Sequence, residues 1–114
     1  MNVDNINLLI ETLEAEVFPN GKALTFDMAA WINKSSCGTT ACIAGTAAIL
    51  GGMKDWREGG VRDFAANWLD IGREDSYNLF LDTGRLEYKE VTRDVAVHCL
   101  KRFRDTGTVV WLPK

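Results

Sequence analysis

The residues of this chain whose types and spacing could do chemistry gather in one string, Cys37-Gly38-Thr39-Thr40-Ala41-Cys42. Thr39 to Leu50 is rich in small residues and reads as a helix. Cys37 would then stand just ahead of a helix N-terminus. There the dipole and the free N–H groups lower a thiol pKa and can hold an anion. A nucleophilic thiolate at Cys37 is one reading. The other is structural: Ser36 or Thr39 caps the helix, Gly38 makes a tight turn, and Cys37 packs as a small hydrophobe.

The neighbouring polar groups allow a second chemistry. Lys34, Ser35, Ser36, Gly38, Thr39 and Thr40 could cradle a phosphate or nucleotide at a helix start, although capping explains the same residue types. The string is not a Walker loop, because no Lys follows a glycine-rich x4 segment. It is not a C-x5-R phosphatase loop either, since Ile43 stands where the arginine belongs.

Metal binding fits poorly. If Cys37 and Cys42 were both helical, five residues would set them ~140° apart at ~100° per residue. Zinc sites ordinarily pair cysteines two to four residues apart, twice over. The remaining natural ligands, His98 and Cys99, are adjacent and point to different sides of one helix. The same geometry makes them a poor catalytic dyad. No metal and no cofactor is therefore expected.

Binding can also rest on aromatic anchors. Of the four tryptophans, Trp68 lies on a core stripe, and Trp31 and Trp111 are expected to pack together. Trp56, among charged neighbours, is the best candidate for an exposed anchor. Asp27 and Trp31 lie at the start of the distinctive segment from Asp27 to Gly51 and are candidate binding residues.

Elements able to position these groups follow from periodicity. Helices are expected over residues 4–17 and 39–50, from Gly59-Gly60 up to a break at Gly72, around Glu74 to Leu81 and from about Lys89 to Asp105. Residues 23–31 are ambiguous, with Leu24, Phe26 and Met28 alternating as in a strand. Thr108 to Leu112 is β-branched and aromatic and could pair with Leu24 to Met28. The expected fold is a single helical domain over 1–114. It is mainly α, with about five helices around the central small-residue helix and room for one short two-stranded β pairing.

Composition narrows the classes further. A chain of 114 residues that is 46% hydrophobic suits one core rather than disorder. A net charge of −3 does not favour a nucleic-acid backbone, so direct nucleic-acid binding is not expected. The longest apolar-rich run, Ala41 to Met53, falls short of the ~20 residues of a membrane span. The start shows neither a basic nor an apolar signal region, and three cysteines make no disulfide framework. A cytoplasmic location follows as the expectation.

Three segments together carry a resemblance: Phe26-Asp27-Met28 with Trp31, the string Cys37 to Gly45, and Thr106-Gly107 with Trp111. Ala65 to Gly72 and Leu79-Phe80 fit the same pattern. The set resembles a group of small, uncharacterised proteins common in bacteriophage and bacterial genomes. It covers most of the chain but carries no assigned activity. The resemblance implies a cytoplasmic, phage- or prophage-type accessory protein. Cys37-Gly38-x3-Cys42-Ile43-Ala44 is also slightly similar to the start of the catalytic helix of papain-like proteases. Those enzymes present their histidine on a substantial sheet, and here the one histidine falls on an expected helix.

The leading reading is a non-enzymatic protein that binds a host or phage protein; homo-oligomers are compatible with it. The alternatives are a small anion or nucleotide binder near Lys34 to Thr40, and a cysteine-dependent enzyme using Cys37.

Overall fold

The computed structural model describes residues 1–35, 38–55, 59–84 and 86–111, and of Ser35 the backbone only. Five α-helices and a small three-stranded sheet make up the regular structure among these residues. The architecture is therefore a mixed α/β globule rather than a helical bundle.

Helix α1, Val3–Ala15, starts where the Asn2 side chain accepts a hydrogen bond from the Asn5 N–H at 3.0 Å. Its stripe Ile6, Leu9, Ile10 and Leu13 is buried, as the spacing predicts. Val17, the last residue of the helix expected over 4–17, lies beyond it and is exposed, because Glu16 turns the chain at φ 57°.

The sheet comes next. Strand β1 is Leu24–Phe26, β2 is Ile32–Ser35 and β3 is Gly38–Ala41. β3 is central. It runs parallel to β1, with Leu24 opposite Thr39, and antiparallel to β2, with Ile32 opposite Ala41. Two expectations are corrected here. The helix expected from Thr39 gives its first turn to β3, and α2 runs only from Ile43 to Leu50. The pairing expected for Leu24 to Met28 with Thr108 to Leu112 is not formed: β1 pairs with β3, and residues 108–111 belong to no strand. Thr39 and Thr40 favour the change. Both are β-branched, a strand preference that a helix reading of the small-residue run overlooks.

Helix α2 is the buried centre that its composition predicts, with Ile43 to Ala48 all out of solvent. A helix without a charged face has nowhere else to go. Helix α3, Val61–Leu69, packs on it; a β-carbon on Gly51 would lie 2.8 Å from the Phe64 ring and 3.0 Å from that of Trp68. Helix α4 spans Arg73–Phe80. It buries Ser76, Leu79 and Phe80 and leaves Tyr77 on the surface.

Helix α5, Arg93–Thr106, begins at Thr92, whose hydroxyl accepts from the Val95 N–H. Lys89 and Glu90, expected at the start of this helix, instead belong to a separate 3-10 turn, Tyr88–Glu90. Buried Ala96, Cys99, Leu100 and Phe103 face the core, and α5 lies along α1. Arg93 pairs with Glu16, Lys101 Nζ reaches Glu14 at 3.3 Å, and Arg104 donates to the Asn7 side chain at 3.0 Å. These pairs are partly exposed and fix the register of the two helices more than they stabilise it.

α1 and α3 are stitched end to end. The last carbonyls of a helix have no partner within it. Those of Trp68 and Leu69 accept from the Asn5 amide group and the Asn2 N–H, each at 2.7 Å.

Candidate functional site

The turn between β1 and β2, residues 27–31, is the best-defined special place on the surface. Asp27 closes it. Its carboxylate accepts from the Ala29 N–H at 2.9 Å, and its carbonyl accepts from the Ala30 N–H at 3.1 Å. The turn is then tied to the sheet and to the start of α2. The Asp27 N–H donates to the Ala41 carbonyl at 3.0 Å, and the Cys42 N–H donates to the Ala30 carbonyl at 2.7 Å. Behind it stands Gly45, one turn into α2. A β-carbon there would overlap the Trp31 carbonyl oxygen and lie 2.7 Å from the carbonyl carbon. Only glycine lets the two backbones come this close.

On that fixed backbone the Trp31 side chain points outward, 43% exposed. This corrects the expectation that Trp31 packs away with Trp111. Trp111 is buried and donates its indole N–H to the Asn78 carbonyl at 2.8 Å. Trp31 instead forms one wall of an open cleft of about 340 Å³, with Gly59, Gly60, Val61, Arg62, Asp63 and Leu81 as the others. The floor is the first turn of α3, which has no side-chain cap. That cleft offers an aromatic surface, an apolar edge, one cation and one anion, and backbone N–H groups at a helix start.

The other candidates divide. Asp27 and Trp31 are together, as described. Lys34, Gly38, Thr39 and Thr40 lie on the two strands of a hairpin, with Thr39 buried and Lys34 exposed. They do not surround a helix N-terminus, because α2 starts five residues after Gly38, and the phosphate cradle expected there loses its geometric basis. Ser36, Cys37 and Trp56 lie outside the described residues.

The helix-start argument made for Cys37 falls on Cys42 instead. Cys42 is the N-cap of α2, and its sulfur accepts from the Gly45 N–H at 3.4 Å. An N-cap thiol would ordinarily be acidified. Here burial wins and pushes its pKa up to about 11, against the lowering effect of the Gly45 N–H; Asp27 adds a smaller upward push. Burial likewise pushes Cys99 up to about 12. Both are neutral thiols near pH 7, which makes them packing groups rather than nucleophiles.

His98 is exposed on α5, between a charged hollow shared with Glu14, Arg93 and Lys101 and a smaller apolar one shared with Cys99 and Trp111. Among the described residues no group of three His, Cys, Asp or Glu side chains is placed to hold a metal ion. Every buried side-chain nitrogen or oxygen among them has a hydrogen-bond partner.

Sequence reasoning named Trp31 but not the rest of its cleft. Gly59-Gly60 ahead of an amphipathic stripe signals a helix start, yet nothing local places that start, or Leu81, opposite Trp31. No protein-family model, curated protein or solved structure matches the chain. The molecule is defined by its own architecture: a small α/β globule with an exposed tryptophan held on a stiff turn. No helix among the described residues is long and apolar enough to cross a membrane.

Proposed function

We propose that this is a non-enzymatic binding protein, a cytoplasmic accessory factor of the phage or prophage type, that holds a protein partner through Trp31 and the cleft beside it. The observation that carries this reading is the contrast within one residue. The Trp31 backbone is locked against Gly45, while its side chain is 43% exposed over a cleft. A large aromatic presented on a rigid backbone loses little conformational entropy on binding, and tryptophan is the residue type most enriched at interface hot spots. The alternative of a cysteine-dependent enzyme using Cys37 concerns a residue outside the described ones; the thiol at the start of α2 is Cys42 and is buried. The competing occupant of the cleft is a small anion or nucleotide at the uncapped start of α3 beside Arg62.

The test is affinity capture from the bacterial host with wild-type protein and with Trp31→Ala, whose fold is checked by circular dichroism. A partner held by wild type and lost, or weakened at least ~30-fold, by the variant supports the reading, because hot-spot truncations cost about 2 kcal/mol or more. Equal capture by both contradicts it. Displacement of the partner by millimolar phosphate or ATP, but not by salt of equal ionic strength, would assign the cleft to an anion.

A further inference from the structure

We draw no further inference here: the strongest candidate, the apolar hollow beside α5 formed by Val95, Cys99, Val110 and Trp111, carries nothing because nothing in the structure shows what covers it.

Discussion

Gly45 on α2 lies directly against the carbonyl of Trp31, with no room for a β-carbon between them. Gly45→Ala must therefore displace either the helix or the 27–31 turn. The expected loss is on the order of 1–3 kcal/mol or more, the range for overpacking a dense interior. Chemical denaturation measures it. An unchanged midpoint would mean that the turn is not seated on α2.

Gly51 gives a graded comparison. A β-carbon there meets the rings of Phe64 and Trp68 rather than backbone. Side chains yield more readily than a hydrogen-bonded turn, so Gly51→Ala should cost less than Gly45→Ala in the same experiment. The reverse order would show that α3 grips α2 more tightly than the Trp31 turn does.

The junction of α1 and α3 makes a separate prediction. Asn5→Ala removes the donor to the Trp68 carbonyl and leaves a partly buried acceptor without its partner. The loss should be about 1–3 kcal/mol. Asn5→Asp should not rescue it, because an ionised carboxylate cannot donate. A stability equal to wild type in either variant would show that solvent satisfies that carbonyl.

The two buried thiols set an alkaline limit on stability. Their folded-state pKa values, about 11 for Cys42 and about 12 for Cys99, lie above the ordinary value of 9.0. Above pH 9 the unfolded chain releases these protons while the native chain keeps them. Stability is thus fully present below pH 9 and falls as pH rises from 9 toward 11 and 12. Cys99→Ala should flatten that fall in urea melts taken from pH 8 to 11, whatever it costs at neutral pH. A slope unchanged by the substitution would contradict the burial of Cys99. At neutral pH, Cys42 and Cys99 should react with alkylating agents only as fast as the protein opens.

The helices were largely legible because their stripes repeat cleanly. Ile6 to Leu13, Val61 to Leu69 and Ala96 to Phe103 bury the faces their spacing predicts. The burial of α2 was legible too, since Ile43 to Ala48 has no polar face. Its start was not. Thr39 to Ala41 is a short strand between two others, and what fixes it as strand is pairing with Leu24 to Phe26 and Ile32 to Ser35, which are distant or ambiguous in sequence. That shift of a few residues moved the N-cap from the neighbourhood of Cys37 to Cys42 and with it the chemistry expected of the thiol. The cleft was illegible for a related reason: Trp31, Arg62 and Leu81 meet only through tertiary packing. Trp31 itself carried no local sign of exposure, because apolar neighbours on both sides suggested core.

A paired measurement on Trp31→Ala separates the proposed role of Trp31, an anchor for a partner, from that of a core residue. Loss of a side chain that is 43% exposed should lower stability by no more than about 1–2 kcal/mol, well short of the about 3–5 kcal/mol for truncating a core tryptophan, while binding to the captured partner weakens at least ~30-fold. A loss of about 3 kcal/mol or more with binding intact would contradict the anchor role and place Trp31 in the core.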